Sequence, residues 1–239
     1  MRYLPAFQAA YNLVQSGRLG EIVTIEADYI HDMRKRAIQY DNWRLDKKHP
    51  QNIVLGGLSH TIDLICWIMR EEVQEISAFS GHKGWEEYPD IDTVVAMLRF
   101  SSGTIGKVAM TIASRGPQRN TLSVYGTQGQ IHDNVFHDTD GQVFLTTERA
   151  VGGRLTRTLL RPVIRRLTKR RDFRNYPFSV YEHEMACRSL LMDFIDSIRV
   201  GKPFPINFYE EVLTVKLCLA CIEAYQTKLI VTFTDTERL

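Results

Sequence analysis

Two polar side chains interrupt an otherwise apolar helical stripe in "IVLGGLSHTIDLICWIMR" (53–70): His60 and Asp63. Three residues apart, they share one side of a helix. Imidazole, with an unperturbed pKa of about 6.5, suits proton transfer near neutral pH. The pair reads either as an ion pair on a core helix or as part of an active site. Upstream, "NWRLDKKHP" places Trp43 and Arg44 in a polar stretch, 32–52, long for a mere connection. They read as a substrate wall with an anion or hydroxyl contact, or as an anchor for the loop. Cys218 and Cys221 form a C-x-x-C, but inside the helical pattern "EEVLTVKLCLACIEAY", away from any strand-to-helix turn. Small buried thiols are the better reading than a redox or zinc pair, and no metal site is expected.

Several elements must hold these residues. "LPAFQAAYNLVQSG" (4–17) predicts a helix, with Pro5 in its first turn and Gly17 stopping it. "GEIVTIEADYIH" (20–31) alternates as a strand does, and "VQEISAFSG" (73–81) follows the His60 helix as another. "DTVVAMLRF" and "TIGKVAMTIAS" flank Ser101-Ser102-Gly103 as a hairpin. "TLSVYG" and "GQIHDNVF" flank Thr127-Gln128 as a second, and "GQVFLTT" (141–147) adds a strand. Two long helices, 180–201 and 207–227, and a strand, 228–233, close the chain. The order implies an α+β fold: one domain over 1–239, an open, mostly antiparallel sheet with helices packed on one face.

Composition narrows the function classes. At 239 residues and net charge +2, 44% of them apolar and 24% charged, the chain is an ordinary globular sequence with no commitment to nucleic acid. No apolar run approaches the length that spans a bilayer, and "MRYLPAFQAA" lacks the parts of a signal peptide. With four cysteines all inside helical patterns, a cytoplasmic setting with reduced thiols is expected. No G-x-G-x-x-G follows a strand, and Gly126-Thr127-Gln128-Gly129 belongs to a hairpin, so no dinucleotide fingerprint is present.

Five stretches in order resemble the glucose–fructose oxidoreductase / inositol dehydrogenase / rhizopine-catabolism (Gfo/Idh/MocA) family. They are "RYLPAFQAAYNLVQSGRLGEIVTIEADY", "WRLD" with "LGGLSHTIDLICWIM", "DTVVAMLRFSSGTIGKVAMT", "LSVYGTQGQI", and the closing "FIDSIRVGKPFPINFYEEVLTVKLCLACIEAYQTKLIVTF". The resemblance implies a C-terminal domain of a two-part enzyme, matching its α+β half and lacking the N-terminal Rossmann domain for NAD or NADP. Truncation of a longer enzyme is the expectation; a stand-alone domain is the alternative. The implied substrate is a sugar, sugar derivative or polyol, with His60 as the proton-handling residue and Trp43 and Arg44 against the substrate. Asp63 is implied to be structural, and Arg2 to lie toward the nicotinamide of a full-length protein. The family often carries an Asp four residues before the histidine; here that position is Gly56. By itself the chain is expected neither to bind NAD(P) tightly nor to turn over.

The resemblance also implies pairing of subunits, as homodimer or tetramer, through the open sheet face, which would cover Val94, Ala96, Leu98, Val108 and Met110. Residues 149–176 depart from the family pattern. Within 149–174 ten residues are Lys or Arg and only Asp172 is acidic, with Leu155, Leu159, Leu160, Val163, Ile164 and Leu167 at helical spacing around Pro162. An insertion packed on its own sheet or a sister subunit is expected there, with an anionic membrane surface or acidic partner as the alternative. The competing function is a non-catalytic dimerisation or ligand-binding module; retained Trp43, Arg44 and His60 favour the enzyme component, and Gly56 favours the module.

Overall fold

A computed structural model describes residues 1–34, 43–48, 50–145 and 180–233. The basic segment 149–176 lies outside the described residues. The chain opens with helix α1 (Pro5–Gln15), whose Pro5 sits at the first turn and needs no N–H partner. Strand β1 (Ile22–Ile30) follows, then a single 3-10 turn at Trp43–Leu45. A π-helical turn, Val54–Leu58, runs directly into helix α2 (Ser59–Met69), which ends on Arg70 in the left-handed region. Strands β2 (Val73–Gly81), β3 (Thr93–Phe100), β4 (Ile105–Thr111) and β5 (Arg119–Gly126) come next. Three short strands, β6 (Gly129–His132), β7 (Val135–Asp138) and β8 (Gly141–Phe144), complete the meander. Helices α3 (Val180–Val200) and α4 (Phe208–Thr227) and strand β9 (Val231–Thr232) close the described chain.

The strands form one sheet in the order β8-β7-β6-β5-β1-β4-β3-β2-β9. Every pairing is antiparallel except β1 with β4, which run parallel at the centre. The stretch expected as one strand after Thr127-Gln128 is two, because Asp133 takes a positive φ of 53° and turns the chain between β6 and β7. The fold is the expected α+β sheet with helices on one face: α2 lies on β1 and β4, and α4 lies on β2 and against α2.

Register decides which face they cover. Ile25 and Ala27 of β1, Val108 and Met110 of β4, and Leu122 and Val124 of β5 all point into the core. On β3 the buried set is Val94, Ala96, Leu98 and Phe100. The expectation that Val94, Ala96, Leu98, Val108 and Met110 line the open face is therefore corrected: all five lie beneath the helices. Both alternating sets of β3 contain apolar residues, so alternation alone did not say which faces in. The open face carries Phe79, Val95 and Met97, interleaved with ion pairs of Lys107 with Asp28 (2.7 Å) and Arg99 with Glu75 (2.9 Å). Truncating Leu98 to Ala is expected to cost about 2–5 kcal/mol in urea unfolding, as a core cavity does. A cost under about 0.5 kcal/mol, the value for an open-face position, would overturn this register.

Candidate functional site

The site is built where the helix carrying His60 meets the end of β1. A π turn widens the backbone spiral immediately before His60, and such turns recur at functional positions. Asn52 starts this turn: its Oδ1 accepts the Val54 N–H (2.9 Å), while its Nδ2 donates to Asp90 (3.1 Å) and to Tyr225 of α4 (2.8 Å). Gly57 lies against the sheet. A Cβ there would overlap the thioether end of Met110 and come within 3.3 Å of the Tyr29 ring. The missing side chain lets the π turn rest on β1 and β4.

His60 is exposed on the first turn of α2, and the Tyr29 ring stands edge-on to its imidazole, centroids 6.0 Å apart. Tyr29 stacks in turn near His31 (5.8 Å), and its hydroxyl lies 3.4 Å from His31 Nδ1. His31 is buried, its N–H donating to the Thr111 carbonyl (2.8 Å). Across the β1–β5 pairing, Asn120 stands opposite Tyr29, buried, with no partner for either carboxamide atom among the described residues.

Asp63, one turn after His60, does not serve the site directly. Its carboxylate takes both Nε (3.1 Å) and a terminal nitrogen of Arg2. The other terminal nitrogen of Arg2 goes to Glu210, and Glu211 lies 3.9 Å away. Arg2 is thus buried and committed to carboxylates of α2 and α4. Burial first, then the nearby Asp63, pushes the Glu211 carboxyl up. This arrangement ties the chain's start to both helices, which suits the structural role expected of Asp63.

The second half of the site is the loop around the 3-10 turn. Arg44 lies over the Trp43 ring, its guanidinium carbon 4.4 Å from the centroid, and Trp43 is exposed. The Arg44 Nε is buried without a hydrogen-bond partner among the described residues. Arg44 is felt by Tyr88: burial, aided by Asp90, pushes the phenol up to about 12, and Arg44 opposes that rise. The Tyr88 hydroxyl donates to the Gln51 carbonyl. The Gln51 carboxamide in turn lies over Gly56, its Nε2 2.5 Å from where a Cβ would stand. The Arg44 charge thus acts on a phenol whose hydroxyl is bonded to Gln51, just ahead of the π turn.

Asp92 holds the Tyr88 wall in place. Its Oδ2 accepts the backbone N–H groups of Lys83 (3.0 Å), Gly84 (2.6 Å) and Trp85 (2.8 Å), and Trp85 packs on Tyr88. Arg34 braces the same turn, bonding Asp32 (2.8 Å) and the carbonyls of Gly84 (3.1 Å) and Ala113 (2.8 Å).

Tyr29, His31, Gln51, Tyr88 and Asn120 are the site residues that sequence reasoning missed. Tyr29 and His31 continue the inward alternation of Ile25 and Ala27, a signal that was available. Gln51 and Tyr88 come from irregular segments where no periodicity marks them.

Among the described residues no His, Cys, Asp and Glu group could hold a metal ion. Burial pushes the thiols of Cys66, Cys218 and Cys221 up to about 12. The glycines of the 126–129 hairpin are packed against protein: a Cβ at Gly126 would overlap the Leu19 carbonyl, and one at Gly129 would meet the His137 carbonyl at 3.0 Å. They leave no cradle for a pyrophosphate, and Arg2 is already engaged. Among the described residues no helix is long and apolar enough to cross a membrane.

The profile of the GFO/IDH/MocA C-terminal domain matches residues 7–132. Myo-inositol 2-dehydrogenase of Thermotoga maritima is 35% identical over 105 residues, 42% of this chain and 30% of that protein. Among solved structures, an oxidoreductase from Agrobacterium radiobacter in complex with NAD+, L-tartaric acid and magnesium superposes with a TM-score of 0.72 at 16% identity. That match covers 97% of this chain and 63% of the other. Myo-inositol 2-dehydrogenase from Lactobacillus plantarum gives 0.69 at 17% identity, covering 98% and 63%. Each match spans less than two thirds of the relative's length.

Asp92 gives the site's wall a pH dependence. Burial would raise its carboxyl, but the N–H donors of Trp85, Gly84 and Lys83 with the Thr93 hydroxyl together hold it below the ordinary value. A depressed carboxyl stabilises the fold above its unfolded pKa of about 3.9 and loses that contribution as pH falls through the lower folded value. Asp92→Asn is expected to lose about 1–3 kcal/mol at pH 7. Its urea midpoint should also fall less steeply than that of the native chain as pH drops below about 4. Equal slopes would show that Asp92 does not carry this dependence.

Proposed function

The chain belongs to the GFO/IDH/MocA family by its C-terminal domain, and we propose that it is the substrate-binding and oligomerisation part of an NAD(P)-dependent oxidoreductase acting on a sugar, sugar derivative or polyol. The observation that supports this reading is the match of residues 7–132 to the family's C-terminal domain, together with an exposed His60 following a π turn and an Arg44 stacked on an exposed Trp43. The names of the relatives, two of them myo-inositol 2-dehydrogenases, support a polyhydroxylated substrate. NAD or NADP supplies the hydride acceptor or donor on a separate Rossmann domain. This chain's residues seat the substrate: Trp43 offers an apolar wall to a sugar ring face, and Arg44 donates to its oxygens. His60 receives or returns the hydroxyl proton when the carbon bearing it changes oxidation state, while Tyr29 limits how its ring can turn. The exposed Leu191, Phe194 and Ile198 of α3 and Phe208 of α4 are the surface we assign to the Rossmann domain.

Gly56 supports a second reading, a ligand-binding module without catalysis. The neutral Gln51 carboxamide covers the position from which a side chain at 56 would leave the helix, so an orienting carboxylate is not supplied there.

The test is calorimetric titration of the isolated chain with myo-inositol and with NADH. Myo-inositol is expected to bind, and His60→Ala to weaken it about tenfold by loss of a hydrogen bond to a hydroxyl. NADH is expected not to bind stoichiometrically. A polyol-blind chain, or one that binds NADH one to one, would overturn the reading.

We assign subunit pairing, as a homodimer or tetramer, to the open sheet face around Phe79, Val95 and Met97. Light scattering is expected to find an oligomer that Val95→Glu, at an exposed position, converts to a folded monomer. A native chain that stays monomeric at every concentration tested excludes this assignment.

A further inference from the structure

Four of the described arginines have acceptors that hold them. Arg2 has Asp63 and Glu210; Arg18 has Asp138 (2.8 Å); Arg34 has Asp32 and two carbonyls; Arg99 has Glu75. Arg44 has none of these. Among the described residues its guanidinium has no carboxylate within ion-pair distance and no hydrogen-bond acceptor, although its Nε is out of contact with solvent. What holds it is the face of Trp43, at 4.4 Å.

That balance is unfavourable for the chain on its own. A buried donor left without an acceptor costs about 1–3 kcal/mol. Stacking on an exposed indole returns about 0.5–1 kcal/mol. The guanidinium is instead stacked on the indole, beside a phenol that its charge acts on and that is bonded to Gln51. Asp90, the carboxylate that acts on the same phenol, accepts from the Asn52 carboxamide (3.1 Å) and the Ile91 N–H (2.7 Å) and makes no ion pair with Arg44 among the described residues. Lys47 and Lys48 add positive charge, and the one carboxylate of 43–48, Asp46, is turned to the Lys48 N–H (2.9 Å).

A planar, permanently charged fork with no acceptor among the described residues matches an oxyanion better than a neutral hydroxyl. A carboxylate takes two parallel charge-assisted bonds, whereas a hydroxyl takes one and leaves the charge uncompensated. We infer that Arg44, stacked on Trp43, is an oxyanion subsite, and that this domain takes a substrate carrying a carboxylate, a sugar acid, in preference to the neutral sugar or polyol of the same shape. The inference rests on the sugar-binding reading above and narrows its substrate class.

The experiment compares three ligands of one ring shape, D-glucose, D-glucuronate and D-glucose 6-phosphate, by calorimetry on the full 239-residue chain. Trp43 fluorescence serves as a second readout, because the exposed indole lies under the guanidinium. Glucuronate is expected to bind at least about tenfold more tightly than glucose, the gain of a bidentate charged contact. Arg44→Gln is expected to weaken glucuronate far more than glucose and so bring their ratio to about one, and Arg44→Lys, which keeps the charge without the fork, to recover only part of it. Circular dichroism identifies variants that have not folded, and free competition with acetate on the native chain tests the same charge contact without any substitution. Tighter binding of glucose 6-phosphate than of glucuronate would overturn the carboxylate in favour of a phosphate. Equal affinity for glucose and glucuronate, or a preference that survives Arg44→Gln, would overturn the subsite itself. Failure of all three ligands and of myo-inositol to bind would instead remove the sugar-binding reading beneath it.

Discussion

The structure depends on the approach of one helix to one pair of strands at a residue with no side chain. At Gly57 the π turn comes down on Met110 and Tyr29 so closely that a methyl group there would have to push aside the end of the Met110 side chain. From that contact the rest follows geometrically. The helix continues across the central strands, burying Ile62, Ile65 and Ile68 against them. A π turn carries one more residue per turn than its α neighbour, so the helix that leaves it is rotated relative to the one that would have entered. His60 leaves on the exposed side of that rotation, beside the Tyr29 ring that Gly57 has admitted. Packing and chemistry at this point have a single cause.

The two ends of α2 are fixed by different physics. At its start the positioning is steric and by hydrogen bonds from Asn52, which reaches the turn, Asp90 and Tyr225 at once. One turn on, it is electrostatic, with Arg2 shared between Asp63 and Glu210. Removing one partner from such a buried cluster leaves a charge uncompensated, which costs more than the pair contributes when intact. The cluster therefore works as a clamp whose members are hard to change singly. It also accounts for Asp63 without giving it a role in proton transfer: an acceptor already holding two nitrogens of one guanidinium has little capacity left for an imidazole.

What the sequence disclosed follows the same division. Strands β1, β2, β3 and β4 were legible because each alternates, and the β3–β4 turn because Gly103 has the positive φ such turns favour. The covered face was not legible in β3, where Val95 and Met97 are as apolar as Val94 and Ala96. Only the pairing across to β1, where Glu26 and Asp28 oppose Ile25 and Ala27, fixes which row goes under the helices. His60, Trp43 and Arg44 stood out by residue type and by resemblance. The π turn did not, since "VLGGL" has no periodic mark separating it from an α-helix. Tyr88 and Gln51 did not either, because their part in the site comes from one hydrogen bond to a backbone carbonyl and one carboxamide lying on a glycine.

Gly56 and Arg44 now bear on each other. A carboxylate at 56 would rise from the helix where the Gln51 carboxamide lies, on the segment to which the Tyr88 phenol, acted on by the Arg44 charge, is bonded. Gly56 is exposed, and a negative side chain there would lower the positive potential that an incoming anion meets. With glycine at 56 and a neutral amide above it, the guanidinium keeps its positive potential for a ligand. A site lacking that carboxylate has lost one means of orienting an imidazole, but the same lack is what an oxyanion-bearing substrate requires. Gly56 is thus compatible with a change of ligand class as well as with a loss of catalysis, and the charge on the bound ligand separates the two.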